Sequence, residues 1–427
     1  MKTSRHFAVQ VLMLAGLGLA FISRAGAGEI TVPAGGNLAA AVQRATPGTT
    51  IRLVPGEYQL SPTPYTDPTC GNCPDPQRST AATLGLKLSG KNLKIVGAGR
   101  DSTVIQTRAG YGLLIEDCTD CVVEGLTVTG GVRDPDGWAT DAGILVRRST
   151  AEIRGVRVRD LIGDSTIVDS TVVGLIGIAG REGSKFTVHD CEIIRNSWDG
   201  ISLFRDSEAI IEDSLIDGVD RASGPQIGGG RGVGIVVSWN SKATIRRNLV
   251  CNYWKGIGVL LDGQAQIEQN IIEDILTWGI SVWDAGHGRP MATIERNAIF
   301  RTGACGVSIS DSVTAGARPG RLAGNAIAGT CIDPRFDSGE LYCKQTPIAV
   351  QAAPPDFAIE GNLLWGNRQP QHSVCEFDMP MKDFFAAVTP MLEDFHRHPV
   401  LRTSRFVIRL RDAAAQPEPG NIMKRQN

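Results

Sequence analysis

Glycine followed by an aliphatic residue recurs along this chain, and each pair opens a short run of alternating apolar residues. The most regular intervals, between Gly234, Gly256 and Gly279, are 22 and 23 residues. A period of this size, with strand-like alternation and no helical pattern between, is typical of a solenoid of stacked coils. The pairs are Gly143-Ile144, Gly177-Ile178, Gly200-Ile201, Gly234-Ile235, Gly256-Ile257, Gly279-Ile280 and Gly306-Val307.

Each coil has an internal pattern of its own. Alternation within Ala243–Leu261 predicts three short strands, around Ile245, Leu249 and Ile257, with a bend at Asn248. An asparagine recurs in the same slot of later coils, where stacked side-chain amides would satisfy the bent backbone. The alternative is that each asparagine is an ordinary turn former. The slot holds Asn248, Asn270, Asn297, Asn325 and Asn362, and Val156, Cys191 and Ser214 in earlier coils.

Two segments precede the regular coils, Leu38–Leu60 (LAAAVQRATPGTTIRLVPGEYQL) and Asn92–Gln106 (NLKIVGAGRDSTVIQ). With the repeat, they resemble the right-handed parallel β-helix proteins of the pectate-lyase-like superfamily, from about Ile30 to Trp365. The resemblance implies an all-β solenoid, a right-handed three-stranded parallel β-helix with an N-terminal helical cap. That superfamily contains lyases, hydrolases, esterases, epimerases and adhesins, so the fold alone does not determine the activity.

The first 27 residues have the pattern of a secretory signal peptide: basic residues, an apolar run from Phe7 to Ile22, and the cleavage pattern Ala25-Gly26-Ala27. An uncleaved anchor is the alternative. Removal of the peptide leaves 40 basic and 45 acidic residues, a net charge of −5, which is unlike a nucleic-acid binder. No later apolar stretch is long enough to cross a bilayer. We therefore expect a secreted or periplasmic monomer with no nucleic-acid partner and no integral membrane segment.

The ten cysteines suit an oxidising compartment. Two C-x-x-C pairs, Cys70/Cys73 and Cys118/Cys121, are compatible with zinc or with disulfides. The 44 residues between them are unlike the spacing of a zinc ribbon, and export favours disulfides. Cys331 and Cys343 flank an excursion from the repeat that a disulfide would close.

The expected organisation is a signal peptide at 1–27, a β-helix over 28–366, a C-terminal capping segment at 367–412 and a disordered tail at 413–427. A loop rich in proline and threonine, Ser61–Thr83, interrupts the early coils. The apolar spacing within Met381–His396 predicts a helix. We expect this helix to cover the open end of the solenoid, because an exposed strand edge would template aggregation.

The strand after each Gly-aliphatic pair is the best candidate for a site, because the turns that lead into it vary most in length. Three of those turns, Thr129–Ala142, Arg157–Val173 and Gly218–Arg231, are long enough to wall a cleft. The resemblance implies that a polysaccharide lies on this face. Indole rings offer a flat apolar surface and an N–H donor to sugars, although tryptophans also cover turns and strand ends. Six of the seven tryptophans border the face: Trp138, Trp198, Trp239, Trp254, Trp278 and Trp283.

Three arginines, Arg147, Arg181 and Arg205, leave this strand in consecutive coils. Guanidinium groups at coil spacing would bind the carboxylates of a uronic-acid polymer, although Arg205 comes one position later after its glycine than the others do. Exposed Arg–Asp pairs on a solvated turn are the alternative.

The candidate catalytic residues are carboxylates and cations near the same strand. A glycoside hydrolase needs two carboxyl groups, which Asp199 and Asp220 could supply, with Asp134, Asp136 or Asp141 from the first wall. A lyase needs a base, for which Arg205, Arg221 and Lys255 are candidates, and the aspartates could hold calcium. Aspartates in turns are far more often turn formers.

His287 lies in Gly286-His287-Gly288, which resembles one element of polygalacturonase-type hydrolases, but their accompanying motifs do not follow in order. We treat His287 as a substrate-binding candidate. The sequence predicts an exported β-helix protein that binds an acidic polysaccharide, and it leaves open whether the chain cleaves or modifies that polymer. The alternative is a non-enzymatic adhesin or scaffold.

Overall fold

The computed structural model of the chain contains one long stack of β-coils. It describes residues 28–414 except 72, 74–75, 91, 163–165, 169–170, 220–231, 311–319, 338–344, 352, 354–355 and 370–376. The predicted signal peptide, Asp220, Arg221, Cys343 and residues 415–427 therefore lie outside the described residues. None of the helices that are described is long and apolar enough to span a membrane.

Three long sheets run the length of the stack, and successive coils pair in parallel. The predicted three-stranded parallel β-helix is confirmed. The first sheet has twelve strands: Glu29–Val32, Thr50–Leu53, Lys94–Val96, Cys121–Glu124, Thr150–Arg154, Lys185–His189, Glu208–Glu212, Lys242–Arg246, Gln264–Glu268, Met291–Glu295, Gly320–Ala323 and Phe357–Glu360. The second has eleven: Gly56–Gln59, Thr103–Gln106, Thr127–Thr129, Arg157–Arg159, Glu192–Ile194, Leu215–Asp217, Leu249–Cys251, Ile271–Ile275, Ala298–Thr302, Ala326–Ala328 and Leu363–Trp365.

The third sheet contains the strands that follow the glycines. Its eleven strands are Thr63–Asp67, Thr80–Ser89, Tyr111–Glu116, Ala142–Arg147, Ile176–Arg181, Ile201–Leu203, Val233–Val237, Lys255–Leu260, Trp278–Trp283, Cys305–Ser310 and Ile348–Gln351. A separate antiparallel hairpin joins Thr166–Val168 to Thr171–Val173. Short 3₁₀ turns occur at Pro334–Phe336 and Leu401–Thr403.

The recurring glycines stand where two coils approach most closely. A β carbon at Gly256 would lie 2.4 Å from the carbonyl oxygen of Gly279 and 2.4 Å from Cγ2 of Ile272. One coil earlier, a β carbon at Gly234 would lie 2.6 Å from the oxygen of Gly256. Real Cβ atoms do not approach so closely, so only glycine fits where the chain enters the third sheet. This close approach explains the Gly-aliphatic repeat.

The asparagine ladder is confirmed at the turn between the first and second sheets. Asn248 Nδ2 donates to Oδ1 of Asn270 at 3.0 Å, and Asn270 repeats the bond to Asn297 at 3.0 Å. Asn297 and Asn325 continue it at 3.0 and 2.9 Å, ending on Asn362. In the earlier coils Ser214 and Cys191 occupy the same slot, and the Cys191 N–H donates to the Ser214 hydroxyl at 3.0 Å.

Both predicted covering helices are present. Helix α1, Leu38–Arg44, buries Leu38 and Val42 against the first coil, and Asn37 caps it. Helix α2, Met381–Arg397, lies with helix α3, Arg405–Ala414, along the outer face of the second sheet. The expected position over the open end of the solenoid is therefore wrong. The two helices pack on this outer face because the outward-facing residues of the later second-sheet strands are apolar. Phe384, Phe395 and Phe406 pack there against Leu249, Ile271, Ala298 and Phe300.

Candidate binding site on the outer face of the third sheet

The early part of this face is covered by an insert, which we define as residues 60–83. The sequence predicted a loop, but Thr63–Asp67 pairs antiparallel with Thr80–Leu84 and lies over the neighbouring coils. Cys70 and Cys73 are joined by a disulfide within the insert, so that pair has no thiolates to offer zinc. Cys118 and Cys121 are buried thiols, and a hydrogen bond with Cys118 helps to raise the pKa of Cys121.

A buried charge network fastens the insert to the coils. Asp67 forms ion pairs with both Arg147 and Arg181, and it accepts a hydrogen bond from the Tyr111 hydroxyl at 2.8 Å. Asp67 and Arg181 are 0% exposed and Arg147 is 1% exposed. Burial acts to raise the pKa of Asp67, but the two guanidinium groups hold the pKa below its ordinary value.

The side chain of Arg205, one coil after Arg181, also contacts the insert. It donates to the carbonyl oxygen of Cys70 at 2.6 Å and to Glu182 at 2.6 Å. The expected open line of guanidinium forks is therefore not what the structure has. Arg147 and Arg181 are closed to solvent, because the insert supplies the carboxylate that a polymer was expected to supply.

Of the two aspartates proposed as a catalytic pair, Asp220 lies outside the described residues and Asp199 is buried. Asp199 is 3% exposed, and it accepts hydrogen bonds from the Ser202 hydroxyl at 2.7 Å and the Val233 N–H at 2.8 Å. Burial raises the pKa of Asp199 to about 6, although both donors oppose the rise. Val233, which donates to Asp199, is the cross-strand neighbour of Lys255, whereas Arg205 ends on the insert.

Three aspartates of the first long turn, Thr129–Ala142, form its main polar contacts. Asp134 accepts from the Thr83 N–H and hydroxyl, both at 2.7 Å, and Asp141 is ion-paired with Arg133. Burial raises the pKa of Asp141 to about 7. Asp136 accepts from the Ala81 N–H at 3.2 Å. These carboxylates join the turn to the insert.

Four tryptophans remain partly exposed along the face: Trp138, Trp198, Trp239 and Trp283. A cation lies over the ring of three of them. The Arg78 guanidinium is 4.8 Å from the Trp138 ring centroid, and Arg205 is 5.9 Å from that of Trp239. Lys255 Nζ is 5.3 Å from the Trp283 centroid. We call these three contacts the tryptophan–cation pairs.

Lys255 is surrounded by indoles from two successive coils. Its Nζ is also 4.7 Å from the Trp254 centroid and 4.8 Å from the Trp278 centroid. Trp254 and Trp278 are 9% and 2% exposed and pack edge to face at 5.4 Å. These two indoles pack around Lys255, which is 3% exposed, whereas Trp283 is partly exposed.

His287 lies in the exposed turn that follows the strand Trp278–Trp283. Its backbone N–H donates to the backbone carbonyl of Asp284 at 3.2 Å. Among the described residues, three candidate metal ligands converge only at His189, Glu212 and Asp213. That group lies at the end of first-sheet strands, and Arg247 already pairs with both acids. Among the described residues, no such group of three lies on the third-sheet face.

The variant Asp199→Asn is expected to gain stability relative to the wild type as the pH rises through 6. The folded pKa of Asp199 is about 6, above the ordinary value of 3.8. Between pH 3.8 and pH 6 the native state therefore binds more protons than the unfolded state, and the stability of the wild type falls as the pH rises through this range. A neutral asparagine side chain would avoid that penalty, about 1–3 kcal/mol at pH 8. Urea unfolding at pH 5 and pH 8 measures it, with exposed Asp190→Asn as control. A difference between variant and wild type that is the same at both pH values would contradict the assignment.

The chain was compared with known sequences and solved structures. A search of curated protein sequences finds no match. The chain is similar in structure to an alginate lyase from Paenibacillus sp., at 15% identity over 78% of this chain and 98% of that chain, with a TM-score of 0.46. It is similar to a pectate lyase at 15% identity over 79% and 80% of the two chains, with a TM-score of 0.41. A mannuronan C-5 epimerase module from Azotobacter vinelandii gives 15% identity over 78% and 94%, with a TM-score of 0.32.

The model of the family described as the right-handed β-helix region matches residues 95–318, which is more than half of the chain. Those residues contain the glycine column, the first steps of the asparagine ladder and all six tryptophans of the third-sheet face. The chain belongs to the right-handed β-helix family.

Proposed function

We propose that this chain is an exported protein that binds an acidic polysaccharide on the outer face of the third sheet. The observation that supports the proposal is the set of three tryptophan–cation pairs, each with a partly exposed indole. An indole face packs against the apolar side of a sugar ring, and a nearby cation attracts a carboxylate. A polymer with both features, a chain of uronic acids, matches the pairs best.

Export is supported by the N-terminal sequence pattern and by the disulfide between Cys70 and Cys73, since disulfides persist in oxidising compartments. The proposed role is binding. Catalysis would require Asp199, Arg205 or Lys255 to reach a common substrate atom, and Arg205 is held by Cys70 and Glu182.

Trp283→Ala and Lys255→Met test the proposal. Each is expected to weaken binding to polygalacturonate or alginate about tenfold, because loss of one ring or one charge contact is worth about 1.4 kcal/mol. Isothermal titration calorimetry at low and at high salt measures the affinity. Salt should weaken binding by the wild type, because part of the attraction is between charges.

Two matched variants control for general effects. Phe377→Ala removes an aromatic ring that is 54% exposed elsewhere, and Lys382→Met removes a lysine on helix α2. Both should bind as the wild type does. A wild-type protein that is folded and retains neither polymer would overturn the proposal. The release of unsaturated uronates or reducing ends in the same samples would add catalysis to it.

A further inference from the structure

The first sheet carries a long open groove on its outer face. The groove has a volume of about 1340 Å³ and extends from Asp120 to Arg321, across eight consecutive strands. Strands of one sheet lie about 4.8 Å apart, so the groove is about 34 Å long. A concavity of this length suits an extended chain better than a compact small molecule.

The other two outer faces carry covering elements. The insert lies over the third sheet, and helices α2 and α3 lie over the second. In the part of the chain that is described, no helix or hairpin packs in the groove of the first sheet. The lining side chains there are exposed or partly exposed at alternate positions, while their neighbours, such as Ala209 and Ala243, enter the core.

The floor of the groove is uncharged through its middle five coils. It contains a column of Thr187, Ile210, Thr244, Gln266 and Thr293, in register from strand to strand. Each coil thus presents a short hydroxyl, amide or aliphatic side chain. Because the backbone groups of these strands are already paired between coils, only side chains can hydrogen-bond a ligand there.

The charges beside the floor are largely paired within the protein. Lys185 contacts Glu208 at 3.0 Å, and Arg321 contacts Glu295 at 3.0 Å. The lining holds four acidic residues, Asp120, Glu152, Glu208 and Glu295, against three basic ones, Lys185, Lys242 and Arg321. This balance gives a polyanion no net attraction, in contrast to the tryptophan–cation pairs of the third sheet.

We infer that the groove binds an extended chain of neutral sugars, at a surface separate from the acidic-polysaccharide site. Sugar hydroxyls both donate and accept, so they match threonine hydroxyls and glutamine amides placed once per coil. Ile210 is 41% exposed and offers an apolar contact to a ring face at the centre of the floor. A peptide strand would find no free backbone partner on this face, which argues against β-augmentation.

The test is a binding panel of soluble neutral polysaccharides, including β-glucans, xylan and mannan, measured by affinity electrophoresis and calorimetry. The wild type should retain at least one of them. Thr244→Trp would fill the middle of the groove and should weaken that binding at least tenfold. Gln266→Trp, one coil later, should do the same, so the result does not depend on one variant folding. Thr403→Trp, at an exposed threonine in the C-terminal segment, is the matched control and should bind normally.

The two surfaces give opposite variant patterns. Thr244→Trp should leave binding to polygalacturonate or alginate unchanged, and Trp283→Ala should leave neutral-glycan binding unchanged. The inference would be overturned if the wild type binds no neutral polysaccharide, or if both groove variants bind as tightly as the wild type. It would also be overturned if sedimentation shows that the groove variants break a dimer, since a second copy of the chain would then be the occupant.

Discussion

Replacing Asp67 with alanine is expected to lower the free energy of unfolding by about 3–5 kcal/mol, because it leaves two buried guanidinium groups without their shared carboxylate. Arg147 and Arg181 both end on Asp67, and neither is open to water. Guanidinium chloride unfolding measures the loss. Limited proteolysis should show new cleavage within the insert, because its charged anchor is gone.

An exposed pair provides the control for this variant. Arg148 contacts Asp117 at 2.7 Å, with side chains that are 41% and 52% exposed. The backbone of Asp117 is left-handed, with φ 51°, which asparagine tolerates, so Asp117→Asn should cost less than about 1 kcal/mol. Equal losses for Asp67→Ala and Asp117→Asn would show that the buried network does not hold the insert.

The same network predicts an acid dependence. Because the folded pKa of Asp67 is below 3.8, its contribution is complete above that value and is lost as the pH falls below it. Asp67→Ala should therefore differ most from the wild type above pH 4 and converge with it in stronger acid.

Replacing Gly256 with alanine is expected to destabilise the fold by about 3 kcal/mol or more, the upper end of what overpacking costs. The new methyl group would meet the carbonyl oxygen of Gly279 and Cγ2 of Ile272, both at 2.4 Å. The backbone cannot move aside as a flexible side chain can, so the distance between the two coils must increase. Chemical unfolding or loss of soluble protein reports the effect.

Gly258, two positions later in the same strand, is the matched control. A β carbon there has no neighbour closer than 3.5 Å, and its contacts are side chains. Gly258→Ala should leave stability unchanged or slightly raised, since alanine restricts the unfolded chain more than glycine does. Similar losses at both positions would mean that glycine is needed throughout the strand and not only at the close approach.

The sequence predicted those parts of the molecule that repeat. The glycine column and the asparagine slot each return once per coil, so their spacing revealed the three-stranded coil and its turns. The sequence predicted helix α2 but placed it over the open end, although the second-sheet strands themselves indicate where it packs. Second-sheet strands such as Ala298–Thr302 are apolar on both sides, unlike Arg157–Arg159, and a strand that is apolar on both sides needs a cover.

The insert could not be predicted in the same way. Its contacts join Asp67 to Arg147 and Arg181, which are 80 and 114 residues later, and no periodicity records them. The sequence pattern groups the three arginines, but which residues they contact depends on how one irregular segment folds back. The groove of the first sheet was missed because its residues are ordinary threonines and glutamines. Their alignment exists only once the coils are stacked.

The covering elements also change how the stack comes apart. A solenoid whose coils touch only their neighbours can fray from its ends and melt piecemeal. Here the insert spans four successive strands of the third sheet, from Tyr111 to Arg205, and helices α2 and α3 span the second-sheet strands from Leu249 onward. Each of these elements packs against several coils, so a coil beneath it cannot unfold without losing contacts to the covering element. The coils beneath each covering element should therefore unfold together in one cooperative transition.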